Sequence, residues 1–325
     1  MLATFPYYCQ PNEPRLCKER LDQAPTFGVG DDWIFRETWQ RVGVAVASRD
    51  VAGQIKGARK QLLIRLGAMQ IADKVIVVTG GAHGIGRALC ERFKREGAKG
   101  ICVADLDESA GTSVAEAVGG MFVRCDVSDE AQIKHMIAKT EERFGPIDLF
   151  CANAGIGIRD VDGLVSGASN ADWNKIWEVN VMQHIYATRA LLPAMIARGS
   201  GYFLITASAA GLLSQIGSAA YSVTKHAAVG FAESLAITHG ESGIGVSVLC
   251  PQGVWTNMTR GQGDTPQAGD GMLQPEDVAQ SVVEALATER FLILPHAQVL
   301  EYMQRKTTDY DRWIRGMQRF RRKFV

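Results

Sequence analysis

The sequence of 325 residues predicts an α/β protein in which helices cover both faces of a seven-stranded parallel sheet, the doubly wound arrangement. Two patterns support this prediction. From Lys74 onward, short runs that are apolar throughout alternate with longer amphipathic segments. Strands that are apolar on both sides are typical of a parallel sheet covered on both faces, and the amphipathic segments supply the covering helices.

Seven apolar runs are predicted to form the strands. They are Val75–Val78, Ile101–Ala104, Met121–Arg124, Leu149–Ala152, Tyr202–Thr206, Val246–Leu249 and Phe291–Leu294. The predicted helices between them are Gly86–Glu96, Asp129–Phe144, Ala171–Arg198, Ala219–Thr238 and Pro275–Ala287. In the first helix, apolar residues recur every three or four positions up to a stop at Gly97, which fixes its buried face.

This pattern spans residues 69–300 and predicts one domain there, flanked by residues 1–68 and 301–325. Four prolines interrupt the first 25 residues, and Met69 directly precedes the first strand. We therefore expect residues 1–68 to be an extension upstream of a native start at Met69. The alternative is a small docking arm built on Trp33–Gln61. In the tail, basic residues interleave with aromatic ones, which predicts an amphipathic helix packed on the domain or on a neighbouring subunit, in preference to a membrane surface.

Composition excludes several functional classes. Lys plus Arg and Asp plus Glu each total 35, so no overall charge attracts nucleic acid or a membrane surface. No apolar stretch approaches the roughly 20 residues of a membrane-spanning helix. The seven scattered cysteines suit buried thiols of a reduced, cytoplasmic protein, and the six histidines lack metal-ligand spacing. We expect no bound metal, no nucleic-acid partner and no integral membrane segment.

A glycine-rich turn over residues 79–86 follows the first strand and opens the first helix. This is the context in which such a turn binds a dinucleotide pyrophosphate at a helix N-terminus. We expect Gly80 to allow the tight turn, Gly84 to allow close approach of the phosphates, and Gly86 to let the helix approach the strand.

An acidic residue about 20 positions beyond such a turn binds the ribose hydroxyls of NAD. Asp105, at the end of the second predicted strand, meets this requirement. A carboxylate there repels the additional phosphate of NADP, so the sequence favours NAD. NADP is the alternative, because His83 or Arg87 would partly neutralise that phosphate.

Tyr221 and Lys225 are four residues apart on a predicted helix, so their side chains share one face. An ammonium near a phenol favours the phenolate and would lower the pKa of Tyr221 toward neutrality. Ser208 lies 13 positions upstream of Tyr221, at the end of a predicted strand. An acid/base phenol beside a bound dinucleotide implies hydride transfer to or from a carbonyl carbon.

Several motifs occur together in one order along the chain. They are the turn at residues 79–86, Asp126-Val127, Asn153-Ala154-Gly155, Asn180, Ser208, Tyr221 with Lys225, and residues 251–256 beginning at Pro251. In these motifs the chain resembles the short-chain dehydrogenase/reductase family over about residues 70–295. The resemblance implies a single-domain Rossmann fold and an oxidoreductase that interconverts a secondary alcohol and a ketone with NAD or NADP. We expect this substrate to be hydrophobic.

The resemblance implies that Tyr221 exchanges the proton with the substrate oxygen while Ser208 donates a hydrogen bond to it. Lys225 would hold the nicotinamide ribose, and Asn180 would hold a water that links Lys225 to solvent. Asp126 and Val127 would flank the adenine, and Thr256 would contact the carboxamide. The full predicted cofactor set is Gly80, His83, Gly84, Ile85, Gly86, Asp105, Asp126, Val127, Asn153, Ala154, Gly155, Tyr221, Lys225, Pro251, Val254 and Thr256.

The chain departs from the family pattern at one turn. After the sixth strand the family usually has Pro-Gly, whereas here Gln252 follows Pro251 and the glycine comes at Gly253. A backbone with positive φ suits glycine and penalises glutamine, so we expect a different local turn. The following segment, Asn257–Met272, is predicted to be the substrate loop. Leu212, Leu213 and Ile216 either line the substrate pocket or pack in the core.

Two other functions fit parts of the pattern. A catalytically silent dinucleotide-binding regulator would need the glycine turn alone, and the intact Ser208, Tyr221 and Lys225 argue against it. An epimerase or dehydratase would use the same proton relay, but members of that class carry a large C-terminal substrate domain. The resemblance also implies a homodimer or homotetramer formed through the helices Ala171–Arg198 and Ala219–Thr238.

Overall fold

The structure is a computed structural model that describes residues 69–259 and 270–324. The predictions for residues 1–68, and for most of the substrate loop, lie outside the described residues. Among the residues that are described, no helix has the length and apolar character needed to cross a membrane.

The predicted seven-stranded parallel sheet is confirmed, with strand order β3-β2-β1-β4-β5-β6-β7. The strands are β1 Val75–Thr79, β2 Gly100–Asp105, β3 Met121–Arg124, β4 Leu149–Ala152, β5 Gly201–Thr206, β6 Ile244–Leu249 and β7 Leu292–Ile293. The order reverses direction between β1 and β4. Carboxyl ends of parallel strands form a crevice at such a point, which is where ligands bind in doubly wound folds.

Nine α-helices surround the sheet in the part of the chain that the structure describes. They are α1 Gly84–Arg95, α2 Glu108–Val118, α3 Glu130–Phe144, α4 Asn170–Trp177, α5 Gln183–Ala197, α6 Ala219–His239, α7 Pro275–Leu286, α8 Gln298–Thr308 and α9 Tyr310–Arg321. Helix α2 was not among the predicted helices. It is rich in Ala, Ser and Gly, so its apolar period is weak, and its ends are instead marked by the Asp107 cap and by Gly119 at φ +66°.

The predicted helix Ala171–Arg198 is not continuous. A single π-helical turn, Glu178–Met182, lies between α4 and α5. Its residues Val179, Asn180 and Val181 are all buried. Turns of this kind inside α-helices are rare and occur often at functional sites.

Two apolar cores lie on opposite faces of the sheet. One contains Phe150, Phe203 and Met136 with side chains of α3, α5 and α6. The other contains Phe93, Leu89 and Ile101 with side chains of α1, α2 and α7. Together they hold the strands rigid, so the positions of the strand ends are fixed by packing.

The five cysteines in the described residues are free and buried, as the sequence predicted: Cys90, Cys102, Cys125, Cys151 and Cys250. Burial raises the pKa of the Cys102 thiol to about 12, which keeps it in the unreactive thiol form.

Beyond β7 the chain forms two helices, α8 and α9, where the sequence predicted a single amphipathic tail. The segment turns at Asp309, whose carboxylate accepts a hydrogen bond from the backbone N–H of Arg312 at 2.9 Å. Asp309 therefore caps α9 and starts a second helix. We call α8 and α9 together the C-terminal hairpin.

Candidate active site

The glycine turn after β1 is shaped by close backbone contacts. Gly80 has φ +64°, and a Cβ there would lie 2.9 Å from Cα of Ala154. A Cβ on Gly86 would lie far inside van der Waals contact with the carbonyl oxygen of Gly80. Gly80 and Gly86 thus have the steric roles predicted for them, in the turn and in helix packing.

Helix α1 begins at Gly84 with its first-turn N–H groups open. Its N-cap residue, His83, makes no side-chain cap hydrogen bond. Gly84 has φ +48°, and a Cβ there would meet Cγ2 of Thr256 at 2.8 Å. An uncapped helix N-terminus with a glycine-lined approach fits a dinucleotide pyrophosphate.

A buried polar network joins β1 to the segment after β4. The Thr79 hydroxyl accepts hydrogen bonds from the backbone N–H of Asn153 at 2.9 Å and of Ala154 at 3.1 Å. The Asn153 amide donates to the carbonyl of Thr79 at 3.0 Å, and its oxygen accepts from Thr206 at 3.2 Å. This network holds the three strand ends that form the floor of the crevice.

Asp105 lies at the carboxyl end of β2, where the sequence placed the ribose-binding carboxylate. One oxygen accepts from Ala82 N at 3.0 Å and the other from Asp107 N at 3.1 Å. The two side chains that would have favoured NADP both contact carboxylates. His83 contacts Asp107 at 2.9 Å, and Arg87 pairs with Glu91 at 2.8 Å.

A cleft of about 370 Å³ runs over these strand ends and along α1. All sixteen predicted cofactor-binding residues line it, from Gly80 through Asp105 and Asn153 to Thr256. Ser208 lines the same cleft. Asn180 does not line it but lies directly beneath, fully buried.

Tyr221, Ser208 and Lys225 meet at one end of this cleft. The Lys225 ammonium donates to the carbonyl of Thr206 at 2.9 Å and lies 5.5 Å from the centroid of the Tyr221 ring. Burial raises the pKa of Tyr221, while a hydrogen bond with the Ser208 hydroxyl acts in the opposite direction. This direction is opposite to the one expected from Lys225, because desolvation of the phenolate is the largest effect and the Ser208 hydrogen bond offsets it only in part. Burial also lowers the pKa of Lys225, to about 8.

Asn180 connects the π-helical turn to the segment after β4. Its amide oxygen accepts from Ile156 N at 2.9 Å, and its nitrogen donates to Ile156 O at 2.9 Å and to the Thr224 hydroxyl at 3.2 Å. A Cβ on Gly155 would touch both the Asn180 oxygen and the Lys225 nitrogen, at 3.3 and 3.4 Å. Asn180 therefore adjoins Lys225 across Gly155.

Three further buried residues support the site, and sequence reasoning did not select them. Gln183 accepts from Thr79 at 3.1 Å and donates to the carbonyl of Ala154 at 2.5 Å. The carbonyl of Thr206 accepts a hydrogen bond from Lys225, and the hydroxyl of Thr224 accepts one from Asn180, as described above. The only sequence signal for Gln183 and Thr224 is a polar residue on an otherwise apolar helix face near a predicted site residue.

The turn at Gln252 forms without the positive φ that would penalise glutamine. Among the described residues, the non-glycine residues with positive φ are Asp73, Asp162 and Glu289, so Gln252 avoids that region. Its backbone N–H donates to Nδ1 of His296 at 3.2 Å, and its side-chain amide donates to Asp270 at 2.9 Å. Glutamine is tolerated here because the turn is held by these contacts.

A second, larger cavity of about 1040 Å³ opens next to the cleft. Ser208 and Gln252 line both spaces, so the larger cavity meets the cleft beside Tyr221. Leu213 and Ile216 line this cavity, whereas Leu212 packs against the core. The opposite wall consists of residues of the C-terminal hairpin, which sequence reasoning did not assign to the site. No group of three or more metal-ligating side chains occurs within residues 69–259 and 270–324.

Comparisons with known proteins agree with this geometry. Residues 74–267 match the family model for short chain dehydrogenase. The chain is 34% identical to a 1-deoxy-11-beta-hydroxypentalenate dehydrogenase of Streptomyces exfoliatus, over 70% of this chain and 85% of that protein. It is also 34% identical to a meso-2,3-butanediol dehydrogenase of Serratia marcescens, over 59% of this chain and 76% of that protein.

A similar crystal structure is that of a short chain dehydrogenase/reductase from Burkholderia phymatum in complex with NAD. It superimposes with a TM-score of 0.67 at 31% identity, covering 75% of this chain and 96% of that chain. A putative short-chain dehydrogenase from Novosphingobium aromaticivorans gives a TM-score of 0.65 at 27% identity, covering 74% of this chain and 86% of that one.

Proposed function

This chain belongs to the short-chain dehydrogenase/reductase family, and we propose that it is an NAD-dependent oxidoreductase that interconverts a secondary alcohol and a ketone. The observation that best supports the proposal is that Ser208, Tyr221 and Lys225 lie together where the cleft adjoins the larger cavity. One space fits a dinucleotide, and the other has room for a substrate beside the phenol.

The cofactor, when bound, supplies or accepts the hydride. The open N–H groups of α1 and the bare Gly84 would hold its pyrophosphate, Asp105 its adenine ribose, and Asp126 with Val127 its adenine. Lys225 would hold the other ribose. Pro251, Val254 and Thr256 would line the nicotinamide side.

The chain's own residues move the proton. Ser208 would donate a hydrogen bond to the substrate oxygen and hold it within reach of Tyr221. Because burial raises the pKa of Tyr221, the phenol is protonated near neutral pH and ready to donate in the reductive direction. Alcohol oxidation needs the phenolate, so its rate should rise as the pH increases above neutrality.

A Tyr221→Phe variant tests this role. We expect turnover to fall by about 10²–10⁴-fold, the usual contribution of a positioned acid/base group, while NAD affinity stays unchanged. Turnover is followed by the absorbance of reduced cofactor across a panel of alcohols and ketones. Tyr310→Phe, which removes the hydroxyl of an exposed tyrosine that lines neither space, is the control and should behave as the natural protein.

Two results would contradict the proposal. Retained turnover in Tyr221→Phe would exclude the phenol as the acid/base group. Tight NAD binding by the natural protein with no turnover across the panel would support the silent regulator instead.

The engagement of His83 and Arg87 by carboxylates supports NAD over NADP. An Asp105→Ser variant should lose most of its discrimination against NADP, because the carboxylate that repels the additional phosphate is gone. The measurement is kcat/KM with each cofactor in parallel. A higher kcat/KM with NADP than with NAD in the natural protein would overturn the proposed preference for NAD.

We also propose that the chain forms a homodimer or homotetramer through α4, α5 and α6. Large apolar side chains stand exposed on these helices, with exposed fractions of 39% for Trp177, 46% for Val223 and 84% for Ile237. Light scattering should give a multiple of the 35.3 kDa chain mass. Ile237→Glu should reduce that mass, and Val165→Glu, on a loop, should not; a monomeric natural protein would contradict the proposal.

A further inference from the structure

The wall of the larger cavity opposite Ser208 is formed by the C-terminal hairpin. Helix α9 presents Trp313, Met317 and Phe320 to the cavity, spaced along one helical face. No residue of α9 is buried, and these three are only half-buried. The face is therefore partly uncovered and available to an apolar ligand.

The charges that line this cavity balance one another. Its described lining contains three arginines, Arg305, Arg312 and Arg319, and three acidic residues, Asp270, Glu301 and Asp309. Three positive and three negative charges leave no net charge to select an ionic substrate. The volume of about 1040 Å³ reaches the upper end of the usual range for small-molecule sites, roughly 300–1,000 Å³. The charge balance and the volume favour a large, neutral substrate, and the α9 face of Trp313, Met317 and Phe320 favours an apolar one.

Lys306, on α8, holds the hairpin in place. Its side chain is only 7% exposed. Its ammonium donates to the carbonyl oxygens of Leu212 at 2.8 Å and Leu213 at 3.0 Å. It also lies 4.9 Å from the ring centroid of Trp313 and 5.4 Å from that of Tyr310.

No carboxylate forms an ion pair with Lys306 within the described residues. Burying an ammonium is costly unless its N–H groups find acceptors. Here two carbonyls and two aromatic faces take that role, and all four must be correctly placed for the contact to form. Lys306 therefore fixes the Trp313 ring relative to residues 212–213.

Residues 212–213 are in turn fixed relative to the catalytic group. They follow directly on Ser208 and the short 3₁₀ turn Ala209–Gly211. A Cβ on Gly211 would collide with the carbonyl of Lys225, so the turn packs tightly on α6. The distance from the α9 face to Ser208 and Tyr221 is thus set through Lys306.

We propose that Lys306 is a positioning residue that sets the substrate wall, and that the substrate is a neutral secondary alcohol or ketone with a bulky apolar skeleton. This inference rests on the proposed function, because it assumes that the larger cavity holds the substrate. The ammonium contacts neither the substrate nor the cofactor; it acts through Trp313 and the 212–213 backbone.

The test compares a bulky ketone, decalone, with a small one, butanone. Lys306→Met should raise KM for decalone about tenfold and leave kcat, KM for butanone and NAD affinity unchanged. Lys306→Arg, which keeps a cation and N–H donors, should restore most of the loss. Lys323→Met is the matched control, since Lys323, two residues beyond the end of α9, lies 5.9 Å from the Phe320 ring but is exposed.

Binding separates this inference from the proposed function. Calorimetry on the NAD-loaded protein should show decalone binding, weakened about tenfold in Lys306→Met and restored in Lys306→Arg. That result without any turnover would support the positioning role and contradict the oxidoreductase proposal. Equal decalone affinity in the natural protein and Lys306→Met, or no decalone binding at all, would overturn the inference. Unchanged NAD affinity shows that the variant has folded.

Discussion

The cleft over the strand ends and the larger cavity beside it are built in different ways, although they share Ser208 and Gln252. The cleft is made of strand ends, glycines and buried side chains that bind backbone groups, such as Thr79 and Asn153. The cavity wall is made of exposed or half-buried side chains on a terminal hairpin, which Lys306 and Tyr302 attach to the rest of the domain.

This difference predicts that the fold tolerates substitutions in the hairpin better than substitutions in the cleft. A change in the cleft leaves a buried backbone group without a partner or forces two backbones apart, and either is costly. A change in the hairpin alters a surface that is largely solvated. We therefore expect substitutions of the cleft's glycines and backbone-binding side chains to affect both stability and cofactor binding, and those in the hairpin to affect mainly substrate affinity.

The largest effect is expected for Gly86→Ala. Its added methyl group would collide with the carbonyl of Gly80, so the free energy of unfolding should fall by about 4 kcal/mol or more and NAD binding should be lost. Thermal unfolding and calorimetry measure these two effects. Gly230→Ala, where nothing lies within 4 Å of the new Cβ on α6, should instead stabilise by about 0.5–1 kcal/mol. Equal stability of the two variants would contradict the steric role.

Thr79→Val should cost about 3 kcal/mol, because the backbone N–H groups of Asn153 and Ala154 lose their common acceptor. NAD affinity should fall with it, since the crevice floor shifts. Urea unfolding is the measurement. Thr140→Val removes a hydroxyl that donates to Met136 O in its own helix and contacts the Cys102 thiol; it leaves no backbone N–H without an acceptor and serves as the control. A loss in Thr79→Val no larger than in Thr140→Val would show that the network is not needed.

His184, a buried residue of α5, should make the free energy of unfolding depend on pH. Burial, aided by the charge of Lys225, lowers the pKa of its imidazole to about 3. Neither ring nitrogen forms a well-aligned hydrogen bond among the described residues, and a weak one with the backbone of Asn180 offsets the pKa shift only in part. Since the folded pKa lies below the unfolded value, the unfolded chain binds the extra proton, and stability is lost as the pH falls below about 6.5.

At pH 5 this loss should be about 2 kcal/mol relative to pH 7. His184→Leu should remove that part of the dependence, measured as the difference in unfolding free energy between the two pH values. The exposed His135→Gln is the control and should keep the dependence of the natural protein. An unchanged dependence in His184→Leu would contradict this account.

The smallest effect is expected for Tyr302→Phe on the hairpin. It removes a hydrogen bond from the phenol to Asp270 at 2.8 Å, worth about 1 kcal/mol. The KM of a bulky ketone should rise several-fold, while NAD affinity stays constant. Tyr310→Phe, which leaves the Asp270 contact intact, is the comparison. A fall in NAD affinity would show that the two regions are coupled.

The same difference explains what the sequence could predict. The strands and the cleft residues were predictable because glycines and strand ends have fixed backbone requirements that leave a local pattern. The role of Lys306 was not predictable, since its partners Leu212 and Leu213 lie more than 90 residues away in sequence. A different local turn was expected at Gln252, but the contacts with His296 and Asp270 that hold this turn are long-range and leave no local signal.

The raised pKa of Tyr221 could not be predicted from the sequence either, because it depends on burial of the side chain. Spacing places a charge near a phenol, but only the fold determines how completely each is removed from water. The division of Ala171–Arg198 into two helices was missed for a related reason, because a π-helical turn has no strong residue preference.

That turn makes the site sensitive to chain length as well as to residue identity. An ordinary α-helix advances about 100° per residue. Deleting one residue within Glu178–Met182 would let the helix become regular, and it would rotate Asn180 or everything beyond it by about that angle. Asn180 would then turn away from Ile156 and Thr224 although no functional residue had been substituted. When homologous sequences are aligned over this turn, the number of residues in the turn therefore matters as much as their identity. A gap of one residue there would indicate a displaced Asn180, just as a substitution would indicate a lost one.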